Sequence, residues 1–110
     1  MSYVLHQTAA PVIASGANTS SAIAVIDART GIITIPAAMT ANALTFQTSP
    51  ALDGTFSTLK DSSGTNVSVT IANSSSVQIP AAVLAGAKAI KIVGNANEGA
   101  ERTLTVQLKS

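Results

Sequence analysis

Val67, Val69 and Ile71 alternate with Asn66, Ser68 and Thr70, and Leu104, Val106 and Leu108 alternate with Thr103, Thr105 and Gln107. A period of two places each set on its own face of an extended strand, one face toward a core and the other toward water. Antiparallel sheets carry that pattern; parallel sheets, covered on both faces, do not. Six further short runs rich in β-branched residues lie between residues 22 and 93: AIAVID (22–27), GIITI (31–35), ALTFQTS (43–49), TFSTLK (55–60), SVQI (76–79) and AKAIKIV (87–93). With Gly, Asp, Asn and Pro between them at roughly ten-residue spacing, these predict an all-β chain of about eight strands in two packed sheets.

The turns have their own chemistry. Asp53-Gly54 leads into TFSTLK, Asp61-Ser62-Ser63-Gly64 leaves it, and Asn73 to Ser75 separates NVSVTI (66–71) from SVQI. Asp, Asn and Gly tolerate the left-handed backbone or bond their own main chain there. Gly94 to Gly99 is the longest loop between strong strands and is expected to be mobile or an interaction tip. Only AAVLAGA (81–87) reads as a helical turn, since Pro80 suits a helix start and Gly86 a stop; residues 37–43 carry a weaker version of the same signal.

Residues 1–21 show no sustained period and are expected to form an extended N-terminal arm before a sandwich domain over 22–110. A short strand near residues 3–7 fits this segment, with Pro11 limiting pairing beside it. Its apolar residues Tyr3, Val4, Leu5, Val12 and Ile13 need a surface to lie on, either the chain's own domain or a neighbouring subunit. They are the candidate subunit contacts.

At 110 residues the chain has the size of one domain and one core. Only Tyr3, Phe46 and Phe56 are aromatic, so Ala, Val, Ile and Leu must fill that core. Six basic and five acidic side chains are scattered along the chain. Phosphate backbones are bound by clustered Lys and Arg, so no nucleic-acid partner is expected. The absence of cysteine excludes disulfides, thiolate catalysis and Cys-ligated zinc. No apolar run approaches the ~20 residues of a membrane-spanning helix, and no secretory signal is expected from the first residues.

Catalytic equipment is equally sparse. His6, the single histidine, has no partner set for zinc or for a nucleophile triad. Asp27, Asp53, Asp61, Glu98 and Glu101 do not converge on one loop as calcium ligands do. Asp53 and Asp61 are turn residues, while Glu98 and Glu101 are expected at the surface, Glu101 beside Lys91 or Arg102. No phosphate-binding glycine pattern is present. Asn18, Asn66 and Asn73 each begin a glycosylation-like triplet that composition alone explains. Phe46 and Phe56 could form a sugar-stacking platform, but alternation and position assign both to the core. No enzyme activity, cofactor, metal or small-molecule ligand is therefore expected.

The tetrapeptide IPAA occurs at 35–38 and again at 79–82, 44 residues later. In each copy an isoleucine ends a strand, proline withdraws a backbone donor, and Ala-Ala begins a crossing before the next apolar strand. Two corresponding Greek-key halves of one sandwich are expected.

In order and spacing, Ile35-Pro36-Ala37-Ala38, Leu44-Thr45-Phe46-Gln47, Asp53-Gly54-Thr55-Phe56, Asp61 with Gly64, Leu84-Ala85-Gly86, Ile90-Lys91-Ile92 and Arg102-Thr103-Leu104 form one pattern. It resembles that of small β-sandwich proteins encoded among the head and tail genes of tailed bacteriophages, over residues 32–108. Met39 stands where that pattern usually has an aromatic. The resemblance implies an antiparallel, jelly-roll-like β-sandwich and a virion structural protein with no catalytic residues. The favoured role it implies is a capsid decoration, or cement, protein on the capsid surface, assembled in the bacterial host cytoplasm. Its partners would be the major capsid protein and copies of itself. The competing role is a receptor- or carbohydrate-binding module of a head fibre, tail or baseplate, with a groove near residues 94–99.

Overall fold

In the computed structural model, which describes residues 6–52 and 54–110, the alternating runs pair as antiparallel strands. In chain order the strands are β1 (His6–Ala9), β2 (Val12–Ile13), β3 (Ile23–Ala24), β4 (Thr30–Thr34), β5 (Ala43–Ser49), β6 (Ser57–Thr58), β7 (Ser68–Thr70) and β8 (Ser76–Gln78). A single helical turn, α1 (Ala81–Leu84), is followed by β9 (Ala89–Gly94), β10 (Arg102–Thr103) and β11 (Thr105–Lys109). Tyr3, Val4 and Leu5, like Asp53, lie outside the described residues.

The described residues thus hold eleven strands rather than about eight. Two of the additional strands come from the segment expected to be an arm. The third arises because RTLTVQL divides at Leu104, whose backbone N–H turns to Pro11 O at 3.0 Å.

One sheet runs β1-β11-β4-β8 and another runs β3-β9-β5-β6, with β7 also on β5; β10 and β2 form a separate pair. The inward residues of the two larger sheets share one core. Ile33, Val106 and Leu108 come from the first, Leu44, Phe46, Ile90 and Ile92 from the second, and Ile13 from β2. Fully burying such aliphatic side chains stabilises by about 1.5–3 kcal/mol each, which the cost of ordering the chain largely offsets.

Both IPAA segments leave the four-stranded sheet and enter the other one, the first between β4 and β5 and the second between β8 and β9. Their burial matches residue for residue. Ile35 and Ile79 are buried, both prolines are half-buried, the alanine pairs are exposed, and Met39 and Val83 are buried. Val83 lies on α1, the expected helical turn, whereas residues 37–43 contain no helix.

Strand pairing obeys the same repeat. Ile33 pairs with Val77, and Gln47 with Lys91, so in each sheet a residue faces its own counterpart 44 positions away. Antiparallel partners of that kind lie on a local two-fold axis. Shifting the β3–β9 pair Ile23↔Ile90 by the same interval gives Val67↔Phe46, the next step beyond the observed β7–β5 pair Thr45↔Ser68. The segments β3-β4-β5 and β7-β8-β9 are therefore two halves of one core, related by an approximate two-fold.

Candidate functional site

Among the described residues Glu98 is the one charged residue in the core, with its side chain fully buried. Its Oε1 accepts the backbone N–H of Thr40 at 2.8 Å and Arg102 Nε–H at 3.0 Å, and its Oε2 accepts the N–H of Ala41 at 3.0 Å. Its main chain is held as well: Glu98 N–H donates to Ala17 O at 2.9 Å, and Glu98 O accepts from Gly16 N–H at 2.7 Å. Burial alone would push the carboxyl upward, but the Thr40 and Ala41 N–H groups and the Arg102 guanidinium outweigh it and hold Glu98 below its ordinary value. Both oxygens are thus committed to the chain's own donors. This carboxylate fastens three segments together and is not presented to a substrate.

The expected surface pairing of Glu101 with Lys91 or Arg102 is corrected by this geometry: the ion pair to Arg102 comes from Glu98, one helical-type step of four residues earlier. The loop around it is stitched to the fold. Asn95 Oδ1 accepts the N–H of Asn42 at 3.0 Å and of Ala43 at 3.4 Å, and Asn95 Nδ2–H donates to Asn42 Oδ1 at 2.6 Å.

The remaining candidates separate. Asp61 Oδ1 accepts from Ser63 and Thr65 N–H at 2.8 and 3.1 Å, the turn role expected of it. His6 is exposed at the start of β1. Among the described residues no three His, Cys, Asp or Glu side chains gather as a metal site would require. No helix among them is long and apolar enough to cross a membrane.

Of the residues expected at a subunit contact, Val12 and Ile13 are described. Val12 is half-buried and paired with Thr103, and Ile13 lies wholly inside the chain's own core, paired with Arg102. The two phenylalanines also part company. Phe46 is buried as expected, but Phe56 is only half-buried, with Lys91 Nζ 4.6 Å from its ring centre. The register explains this: Thr58 pairs with Gln47 and Gln47 with Lys91, so Phe56, two residues before Thr58, shares their outward face.

The outer face of the four-stranded sheet is largely uncharged. One row across it, in strand order, is Thr8, Gln107, Ile32 and Gln78; the next is Thr105, Thr34 and Ser76. Among the described residues only His6 and Lys109, in the row with Thr30, bring ionisable groups to it. Ile32 is 43% exposed in the middle of this face, beside a cleft of about 310 Å3 shared with Gln78 and Gln107. A larger open groove, about 1200 Å3, runs between residues 25–30 and 84–88, where exposed Ile26 lies near Arg29 and Lys88.

No known protein family, curated protein or solved structure matches the chain.

Proposed function

We propose that this chain is a capsid decoration protein of a tailed bacteriophage, a non-catalytic, jelly-roll-like β-sandwich that binds the outer capsid lattice and stabilises it. The residue pattern from Ile35 to Leu104 motivates the reading. The observation that carries it is the outer face of the four-stranded sheet, where Ile32 stands exposed among Thr8, Gln78 and Gln107 with few charges nearby. Interface centres are depleted of charge, and a face of this kind, with Lys109 and His6 at one end and uncharged residues at its centre, is suited to packing on a coat protein. Each contact can be weak, because many copies on a lattice sum through multivalency.

Particles made without this chain should lose DNA at lower temperature than complete particles. Complementation with Ile32→Lys should leave the fold intact, since the side chain is already exposed, and should lower occupancy on the particle. Complete particles that lack the chain, or unchanged particle stability after its removal, would sink the proposal.

A second reading is a carbohydrate-binding module, favoured by half-exposed Phe56 beside Lys91 and Gln47 on the opposite sheet. It expects glycan-induced NMR shifts confined to those residues. Saturating glycan that moves none of them would remove it.

A further inference from the structure

The approximate two-fold identifies a vacant strand position. In the β4–β8 pair, Ile79 N–H donates to Gly31 O at 2.9 Å and Ile35 N–H donates to Ser75 O at 2.7 Å. Antiparallel bonding alternates along a strand, so Val77 also bonds inward to Ile33, while the backbone groups of Ser76 and Gln78 point away from β4. Their counterparts 44 residues earlier are Ile32 and Thr34, which pair with Gln107 and Thr105 of β11. β11 thus covers β4 on the side where β8 has no neighbour among the described residues.

Natural edge strands are usually blunted by charge, proline or a bulge. The segment 73–79, Asn-Ser-Ser-Ser-Val-Gln-Ile, contains no charge and no proline, and Pro80 only limits its length. We propose that β8 is a homodimer interface, pairing antiparallel with β8 of a second copy about a two-fold at Val77.

The strand is self-complementary in that register. Ser76 of each copy faces Gln78 of the other, and each such pair exchanges both backbone hydrogen bonds. Val77 faces its own copy, as Ile33 faces Val106 in the β4–β11 pair. No like charges meet, and an isologous contact closes without forming a fibre. The inward-facing row Ala9, Val106, Ile33, Val77, buried at Val106 and Ile33 and half-buried at its two ends, would continue into the same row of the second copy, joining two four-stranded sheets into one. The partner is a second copy rather than an unrelated strand because the two-fold sets Val77 against its own copy and uncharged Ser76 against uncharged Gln78, so the open edge meets itself without a charge clash. The proposal concerns the purified chain and holds or fails apart from the virion reading.

Light scattering over a hundredfold concentration range should show the mass doubling from 11.0 kDa. The chain has no cysteine, so Val77→Cys introduces a single thiol. Directly opposed, non-hydrogen-bonded residues lie about 4.5 Å apart at Cα, within the roughly 4.4–6.8 Å that a disulfide spans. Air oxidation should therefore convert most of this variant to a covalent dimer. Ser76→Pro removes an outward N–H and the exposed side-chain bond to Thr34 Oγ1 while sparing the backbone bonds to β4, and should abolish both the mass increase and the cross-link, with circular dichroism unchanged. Gln78→Lys, which sets a charge on each side of the two-fold, gives the same readout should the proline variant fail to fold. A chain that stays monomeric throughout, or a dimer that survives both substitutions, would overturn the proposal.

Discussion

At Glu98, one carboxylate meets Thr40, Ala41 and Arg102, and no buried polar side chain in the described core is left unsatisfied. Removing it strands the buried donors that it satisfies, so Glu98→Ala should cost about 3–5 kcal/mol, read from the denaturant midpoint. Glu98→Gln keeps an acceptor but loses the charge and should cost about 1–3 kcal/mol. The pH dependence follows from the lowered value of Glu98. Above about pH 4.3, the ordinary range for an unfolded Glu, the stabilisation is fully present; it is lost as pH falls through the lower folded value. Acid unfolding of the native chain should therefore steepen below that point, and Glu98→Gln should flatten it. The residue was illegible from sequence for a physical reason. A Glu in a polar loop reads as solvated, and its burial depends on partners 57 and 58 residues away. Only the four-residue spacing to Arg102 was a local signal.

Among the elements, the position of each expected strand was legible but its extent only in part: SVQI forms edge strand β8 nearly as expected, whereas strictly alternating NVSVTI keeps only Ser68–Thr70 and RTLTVQL divides at Leu104. ALTFQTS forms β5 over its full expected span, because Leu44 and Phe46 face the core while neighbours pair on both sides. TFSTLK shortens to two residues, since Lys60 makes only an isolated bridge to Asn66 before the Asp61 turn. The short strand expected near residues 3–7 overlaps β1 at His6 and Gln7; Thr8 and Ala9 extend it without an apolar alternation of their own, held by pairing with β11. Close packing between elements gives a graded test. A Cβ added at Gly94 would lie 2.9 Å from Ala41 Cβ, a short side chain fixed to its backbone. At Gly31 it would meet Ile79 Cδ1 at 2.7 Å and Leu108 Cδ2 at 2.9 Å, both flexible ends. Gly94→Ala should therefore be the costlier change, toward the upper end of the about 1–3 kcal/mol of overpacking, and Gly31→Ala the milder one. Thermal melts of the two variants compare them. The repeat adds a matched pair: Ile35→Ala and Ile79→Ala remove equivalent buried side chains and should each cost about 2–5 kcal/mol, with similar denaturant midpoints.

For the whole molecule, the two IPAA crossings place equivalent strands in two sheets around one core and leave the ends of those sheets unequal. β11 completes one half on the outside of β4, and nothing among the described residues does so for β8. Fold is thus accounted for by the interior, while the proposed function rests on the exterior, on Ile32 and its largely uncharged neighbours Thr8, Gln78 and Gln107. The all-β class was readable because burial imposes a period on sequence. The proposed binding surface was not, because an exposed Ile32 within GIITI looks like any other strand residue until the register places it beside Gln78 and Gln107. Electron microscopy of intact particles tests the proposed role most directly. The account predicts density for this fold on the capsid exterior, with the Ile32 face against the coat protein. Density elsewhere in the particle, or that face turned to solvent, would contradict it.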